Sequence, residues 1–131
     1  KAYSDAGVKV MITEFDLSAL PTLKRTADVG AAMSFREMME KGVPEHLNPY
    51  KEGLPDSVSV AWNNRMMDFF NLFDKYSDVI TRVTAWGVTD AQSWKNGFPL
   101  PGRTDYPLLF DRQYQPKPFV KELIEAHKNK K

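Results

Sequence analysis

The chain begins with a segment in which apolar positions are almost continuous. Residues 8–17 read VKVMITEFDL, and the turn sequence DAG precedes them at positions 5–7. A β-branched, largely apolar run of this length is typical of a strand that is buried on both faces of a parallel sheet. One face of this strand ends in two carboxylates and consists of Val10, Ile12, Glu14 and Asp16. Carboxylates at the end of a buried strand indicate function, because burying a charge is costly.

Helical periodicity follows in two later segments. In the first, apolar residues recur at spacings of three and four: Val58, Trp62, Met66, Phe69, Phe73 and Tyr76. This spacing predicts an amphipathic helix over residues 56–76 whose aromatic stripe packs in a core, with Asp56 or Ser57 as its N-terminal cap. The second segment predicts a closing helix that starts at Pro118 and has an apolar face.

A second strand is predicted between these two helices. Residues 79–89 read VITRVTAWGVT, and a loop rich in glycine, proline and aromatic residues follows at 90–115. The order strand, helix, strand, helix occurs in doubly wound sheets and in β/α barrels. Neither loop after a strand contains GxGxxG or GxxxxGK[ST], so no nucleotide site is expected. The barrel fits better, because its site is built from long loops at the carboxyl ends of the strands.

The connector between the first strand and the long helix is unusually long. Residues 18–56 contain four prolines, at positions 21, 44, 49 and 55. A short helix is predicted inside it, from about Ala31 to Lys41, with Gly42 ending it. Connectors of this length are uncommon in compact domains and are often functional. We expect this one to lie over the carboxyl ends of the strands and to affect the choice of substrate.

Composition excludes several classes of protein. The 131 residues carry a net charge of +1, which predicts no nucleic-acid partner and no anionic membrane partner. The absence of cysteine excludes disulfides, thiolate metal sites and cysteine nucleophiles. No apolar run approaches the roughly 20 residues of a membrane helix. His46 and His127 lack the spacing of a metal site or a catalytic triad, so no metal and no cofactor are expected.

Two groups of residues could carry chemistry. Glu14 and Asp16 form a carboxylate pair on one wall, an arrangement used for glycoside hydrolysis. The alternative is that one of them anchors an arginine or a loop amide. Trp86 ends the second strand and Trp94 lies eight residues later, where indole rings could stack on sugar rings or pack in a core. In the same loop, Arg103 could form a clamp with Asp105.

The same residues carry a family resemblance. Residues 10–16, VMITEFD, resemble the strand-7 signature of family 10 glycoside hydrolases, which are endo-β-1,4-xylanases. Residues 86–94, WGVTDAQSW, resemble the strand-8 signature, and residues 105–118 resemble the usual approach to the last helix. The resemblance covers nearly the whole chain, and the 18–56 connector matches it least.

The resemblance implies a fold and a role for individual residues. The fold would be the C-terminal portion of a (β/α)8 TIM barrel, with residues 1–131 as one segment of a single catalytic domain. Glu14 would be the nucleophile, and Asp16 would help to hold it. Trp86 and Trp94 would form walls of the sugar site near the point of cleavage.

Two further residues receive roles only through this resemblance. Asp90 would support the strand-8 loop from behind, and Arg103 would contact the substrate. The acid/base glutamate of the family follows an asparagine on strand 4 and has no counterpart in this chain. The chain also starts at Lys1 without a methionine, so a clipped, processed or recombinant start is expected. The remainder of the barrel is therefore expected elsewhere, as a second chain or a missing segment.

The implied activity is retaining hydrolysis of β-1,4-xylosidic bonds in xylan, without a cofactor. The expected location is secreted, periplasmic or on the cell surface of a bacterium. Two alternatives stay open. One is another retaining β-glycanase of the same barrel architecture, and the other is a fragment that binds polysaccharide without cleaving it.

Overall fold

The computed structural model describes residues 1–21 and 35–128, and its helices flank a two-stranded parallel sheet. In chain order the elements are α1 (Ala2–Asp5), β1 (Val10–Phe15), α2 (Phe35–Lys41), α3 (Asp56–Lys75), β2 (Ile80–Ala85) and α4 (Pro118–Lys128).

The two strands run parallel and end at the same edge, as the β–α order predicted. Val10 pairs with Ile80 and Phe15 with Ala85, with a register irregularity between Ile12 and Phe15. Both strands are shorter than the predicted ranges of 8–17 and 79–89. The hydrogen bonding between β1 and β2 ends because the backbone after β1 bonds to the loop after β2 instead: Leu17 N donates to Pro107 O at 3.1 Å.

The prediction that β1 is buried on both faces is wrong for the part of the chain that the structure describes. Met11 is 57% exposed, and Thr13 and Glu14 are exposed as well. A strand of a parallel sheet is buried only when neighbouring strands and helices cover it, and β1 has a single strand, β2, beside it among the described residues. The apolar pattern of β1 therefore indicates contacts beyond these residues.

Helix α3 begins at Asp56, at the start of the predicted helical segment, and packs its aromatic stripe against β1 and α4. Trp62 and Met66 are buried together with Phe119 of α4. Phe15 of β1 meets three rings of α3 edge-on, with centroid distances of 5.4–5.9 Å to Phe69, Phe70 and Phe73. Such edge-to-face pairs add to the stabilisation from burial. This core fixes where β1 ends.

The predicted side-chain cap of α3 is wrong. The capping position is Pro55, and no side chain caps the first turn. Proline fixes its own φ and suits the start of a helix. At the other end, Tyr76 lies after the helix and is exposed rather than packed in the stripe. Helix α4 starts at Pro118, as predicted.

The connector packs against the loop that follows β2. Its helix α2 includes residues 35–41 of the predicted 31–41 helix, and residues 31–34 lie outside the described residues. Met38 of α2 is buried with Leu47 and with Leu100 of the β2 loop. This second, smaller core joins the two long loops at one edge of the sheet.

Candidate active site

Glu14 and Trp86 lie at the edge where both strands end. Glu14 is the penultimate residue of β1, and Trp86 directly follows β2. The backbone N–H of Trp86 donates to Phe15 O at 3.0 Å, which fixes the two strand ends side by side. Both side chains are exposed, and Glu14 makes no hydrogen bond or ion pair with another described residue. No described residue therefore covers or pairs with the Glu14 carboxylate at this edge.

A glycine orients the backbone just after Trp86. Gly87 has a φ of +130°, in a region that L side chains rarely adopt. A Cβ at this position would lie 2.8 Å from Leu108 Cδ1, and Leu108 is completely buried. The absence of a side chain thus lets the chain turn from β2 into the loop directly over Leu108.

Asp16, which directly follows β1, contacts two residues of the loop after β2. Trp94 Nε1 donates to Asp16 Oδ2 at 2.8 Å, and the Lys95 ammonium lies 3.2 Å from Asp16 Oδ1. No hydrogen bond joins Asp16 and Glu14 among the described residues. Among the described residues, Asp16 anchors neither an arginine nor a loop amide, the two partners expected in the structural alternative, but contacts the Trp94 indole and the Lys95 ammonium.

Trp94 forms an exposed aromatic surface with its neighbours in the loop. Its ring stacks with Phe98 at a centroid distance of 5.5 Å and an interplanar angle of 24°. The Lys95 ammonium lies 4.7 Å from the centroid of the same indole. Trp86, Trp94 and Phe98 are all substantially exposed. Phe98 was not singled out from the sequence, although an aromatic residue in a loop after a strand is a signal for a binding surface.

Asp90 is completely buried at the base of this loop. Its Oδ1 accepts from the backbone N–H of Leu108 at 2.9 Å, and the Lys117 ammonium lies 2.9 Å from Oδ2. Burial raises the pKa of the Asp90 carboxyl above its ordinary value, and the Lys117 charge opposes this rise. Asp90 thus holds the far end of the loop in place, and its importance for activity stays a prediction.

Lys117 is a residue of this region that the sequence did not identify. Burial lowers the pKa of its ammonium, and the Asp90 charge opposes this effect. Its Nζ donates to Tyr106 O at 2.7 Å and lies 3.8 Å from the ring centroid of Trp62. The run Pro116-Lys117-Pro118 was a usable signal, because prolines on both sides restrict the backbone at a charged residue.

Asp105 joins the loop after β2 to the loop after β1. Its carboxylate accepts from Ser18 Oγ at 2.6 Å and from the backbone N–H groups of Ala19 and Tyr106 at 3.0 and 2.8 Å. Asp105 is almost fully buried. The expected Arg103–Asp105 clamp does not form, since no hydrogen bond or ion pair joins the two side chains and Arg103 Nε donates to Leu47 O instead.

Arg103 is likewise buried, with 7% of its surface exposed. Its Nε donates to Leu47 O at 2.9 Å, and burial lowers the pKa of its guanidinium. The neighbouring Asn48 accepts from the backbone N–H of Thr104 at 2.8 Å. Arg103 therefore ties the connector to the β2 loop, and the geometry gives no support to the expected contact with substrate.

The histidines and acidic residues do not assemble a metal site. Within residues 1–21 and 35–128, no group of three or more histidine, aspartate or glutamate side chains is arranged to bind a metal ion. His46 is exposed in a 3-10 turn, and His127 lies at the end of α4 with Nε2 3.7 Å from Asp74. Among these same residues, no helix combines the length and apolarity required to cross a bilayer.

Comparison with known proteins identifies the family. The model of glycosyl hydrolase family 10 matches residues 1–126. An endo-1,4-beta-xylanase A of Xylanibacter ruminicola is 42% identical over 127 residues, which cover 97% of this chain and 33% of that protein. An endo-1,4-beta-xylanase of Geobacillus stearothermophilus is 34% identical over 116 residues, with 88% and 28% covered.

Solved structures give the same result. The structure of a family 10 endoxylanase from a sugarcane soil metagenome superposes with a TM-score of 0.77 at 37% identity, covering 95% of this chain and 32% of that one. A family 10 structure from Paenibacillus barcinonensis gives a TM-score of 0.66 at 27% identity, with 95% and 29% covered. The chain spans about a third of the length of these relatives. It belongs to glycosyl hydrolase family 10, and its fold is the C-terminal portion of that family's (β/α)8 barrel.

Proposed function

We propose that this chain is the nucleophile-bearing part of an endo-1,4-β-xylanase that cleaves xylan with retention of anomeric configuration. The observation that carries the proposal is that the carboxyl ends of β1 and β2 are paired, which places Glu14 and Trp86 side by side. Glu14 stands exposed and unpaired among the described residues, beside Trp86, at the carboxyl edge of two parallel strands. Active sites of β/α barrels are built at this edge. The relatives named as xylanases support the choice of substrate.

Glu14 would act in a double displacement. Its carboxylate attacks the anomeric carbon, and the bond from that carbon to the leaving oxygen breaks as a second carboxyl group protonates this oxygen. Water, deprotonated by that second group, then attacks the same carbon and releases Glu14. In retaining enzymes the two carboxyl groups stand about 5–5.5 Å apart. The second group would come from barrel strands other than β1 and β2, on the same polypeptide or a second one.

Trp86 and Trp94 would hold the sugar units next to the bond that is cleaved. The two indoles are exposed at the same edge as Glu14. An indole ring offers a flat apolar face to the C–H groups of a xylose ring and keeps its N–H for a polar partner. The two tryptophans therefore give the site affinity for a polysaccharide, and Glu14 gives it chemistry.

The substrate also suggests a location. Xylan is a polymer too large to enter a cell, and the named relatives come from bacteria. An enzyme that cleaves internal bonds of such a polymer must meet it outside the cytoplasm. We therefore propose that the protein is secreted, periplasmic or attached to the cell surface.

The test uses a completed barrel. Here this means residues 1–131 joined to the remaining strands of a family 10 barrel, for example in place of the matching segment of the Xylanibacter ruminicola relative. The Glu14→Gln variant is expected to lose at least about a thousandfold in turnover on xylan, since it removes the nucleophile. The matched control is Glu122→Gln, which changes an exposed glutamate on α4 and should leave turnover unchanged.

Three results would contradict the proposal in different ways. Full activity of the Glu14→Gln variant would remove Glu14 from the mechanism. Faster cleavage of cellulose than of xylan would indicate a different β-glycanase. Binding of xylan without any cleavage by the completed barrel would indicate a polysaccharide-binding protein. Proton NMR of the first product gives the stereochemistry, and an inverted anomer would exclude the double displacement.

A further inference from the structure

Asn96 uses its whole carboxamide within the loop after β2. Its Nδ2 donates to Asp90 O at 2.8 Å and, over a longer distance, to Ala91 O at 3.4 Å. Its Oδ1 accepts from the backbone N–H of Asp105 at 3.0 Å and from Arg112 Nη2 at 2.9 Å. A carboxamide offers two donor hydrogens and two acceptor lone pairs, so every hydrogen-bonding group of this side chain has a partner.

These bonds close residues 97–102 into a projection with a narrow neck. The backbone carbonyl of Asn96 accepts from the N–H of Arg103 at 3.0 Å, next to the bond from the Asp105 N–H to the Asn96 side chain. Asn96 therefore ties the start of the projection to its end. The far part is held separately, because Leu100 is buried in the cluster that it shares with the connector.

Two aromatic rings of the loop lie next to this neck. The N–H of Asn96 donates to Ser93 O at 3.1 Å and closes the 3-10 turn that contains Trp94. The backbone N–H of Phe98 donates to Trp94 O at 3.1 Å, and the two rings stack. A shift of the Asn96 backbone would move both rings, because one precedes it and the other follows it by two residues.

We propose that Asn96 is the positioning residue of the loop after β2, and that it determines the affinity for sugar by holding Trp94 in place. This inference rests on the proposed function of the site, in which Trp94 binds a sugar unit. Asn96 acts through Trp94 and takes no part in breaking the glycosidic bond. An aromatic ring that is ordered before the sugar binds lowers the entropic cost of binding, so KM falls while the chemical step is unchanged.

The four bonds of the Asn96 side chain fall into two pairs that substitutions can separate. Aspartate at this position would keep the bonds from the Asp105 N–H and from Arg112, but it would turn a carboxylate toward the carbonyl oxygens of Asp90 and Ala91. Alanine would lose all four bonds and leave the Asp105 N–H without its acceptor. We therefore expect the alanine variant to loosen the neck itself and the aspartate variant to loosen only the base of the loop.

Steady-state hydrolysis of xylo-oligosaccharides by the completed barrel is the first measurement. Asn96→Ala is expected to raise KM about tenfold and to leave kcat within about twofold of the parent value. Asn96→Asp should raise KM less, and it is the variant to measure if Asn96→Ala does not fold. In a Trp94→Ala background, adding Asn96→Ala should raise KM no further, because the ring that Asn96 positions is already gone.

The matched control is Asn63→Ala. Asn63 is a buried asparagine of α3 with the same kinds of partner: Nδ2 donates to Ser59 O at 2.8 Å, and Oδ1 accepts from the Phe119 N–H at 3.2 Å. The control should lower the melting temperature and leave KM unchanged. An equal rise of KM in Asn63→Ala and Asn96→Ala would overturn the proposal, because loss of stability would then explain both. It would also be overturned by an unchanged KM, by a fall in kcat alone, or by an equal rise with and without Trp94→Ala.

Fluorine NMR separates this inference from the proposed function. In a completed barrel labelled with fluorotryptophan, the Trp94 resonance, assigned through Trp94→Phe, should shift or broaden in Asn96→Ala. The resonance of Trp62, which is buried between α3 and α4, is the internal reference and should not change. A sharp, unmoved Trp94 signal would overturn the inference even in an active xylanase. A changed signal in a protein that does not cleave xylan would support the positioning of Trp94 and contradict the proposed function alone.

Discussion

Lys117 Nζ lies 2.9 Å from Asp90 Oδ2, and both side chains are nearly inaccessible to water. The Asp90 carboxylate also accepts from the Leu108 N–H, and the ammonium also donates to Tyr106 O. Burial raises the pKa of Asp90 and lowers that of Lys117, so each charge depends on the other. Breaking such a pair on one side leaves a buried charge without a partner, which is more harmful than removing both.

Replacing Lys117 by methionine is expected to destabilise the completed barrel by about 3–5 kcal/mol at pH 7. The pKa of Asp90 should rise further, because the positive charge that opposes the effect of burial is gone. Between about pH 4 and that raised pKa, the folded state then holds a proton that the unfolded state has released. Stability should therefore fall as pH rises through this window, more steeply than in the wild type.

Urea unfolding between pH 4 and pH 7 measures this effect. Lys121→Met, which removes an exposed lysine from the same helix, is the matched control and should change stability little. The double variant Asp90→Asn, Lys117→Met should recover part of the loss, because no charge remains buried. Equal loss at both pH values would mean that Asp90 does not carry the charge inferred here.

The turn after Trp86 gives a second prediction. Gly87→Ala should destabilise the protein through two effects: a strained φ and a contact of 2.8 Å with Leu108. Strain alone costs about 1–3 kcal/mol. Gly53→Ala is the matched control, because Gly53 has a φ of +145° and nothing within 4 Å of the added Cβ. Thermal unfolding should show the larger loss for Gly87→Ala, and equal losses would remove the role of Leu108.

The sequence predicted the elements that depend on local patterns. The aromatic spacing of three and four located α3, and Pro118 located the start of α4, because the period and the proline act within the helix itself. Solvent exposure of β1 was not predictable in the same way. Met11 was expected to be buried because it is apolar, but its burial would require further strands beside β1, and the described residues contain only β2.

Asp105 provides a third prediction. Asp105→Ala removes the acceptor for Ser18, Ala19 and Tyr106 and leaves two backbone N–H groups without a partner. Each unsatisfied group costs about 1–3 kcal/mol, so a loss of several kcal/mol in unfolding free energy is expected. Asp105→Asn keeps one acceptor and should lose less. Hydrogen exchange at Ala19 should accelerate in Asp105→Ala, and unchanged protection there would contradict the assigned link between the loops.

A fourth prediction concerns the connector. Asn48 accepts from Thr104 N–H and donates to Gly102 O, so it fixes the connector to the β2 loop. If the connector affects the choice of substrate, Asn48→Ala should change the ratio of kcat/KM between long and short xylo-oligosaccharides several-fold. Deleting residues 31–42 is a stronger test that also removes Met38 from its buried cluster. If the deletion abolished folding and Asn48→Ala left the range of substrates unchanged, the connector would contribute to stability alone.

The sequence allowed candidate site residues to be named, but it did not allow their contacts to be predicted. Glu14, Trp86 and Trp94 could be singled out as candidates from a carboxylate and two indoles near strand ends together with the family resemblance, and their roles stay predictions. The burial and the contact of Arg103 could not be predicted, since a loop arginine looks the same in the sequence whether it faces solvent or donates to Leu47 O. The contact between Asp16 and Trp94 could not be predicted either, because the two residues lie 78 positions apart in the sequence.

The central claim is that Glu14 is the nucleophile of a retaining xylanase, and a covalent trap tests it most directly. A 2-deoxy-2-fluoro-xylobioside with an activated leaving group slows hydrolysis of the glycosyl-enzyme more than its formation, so the intermediate accumulates. We expect the intact mass of the completed barrel to increase by one fluoroxylobiosyl group. We also expect peptide mapping to locate it on Glu14. Labelling of another carboxylate, or turnover on xylan without any trapped species, would contradict the assignment.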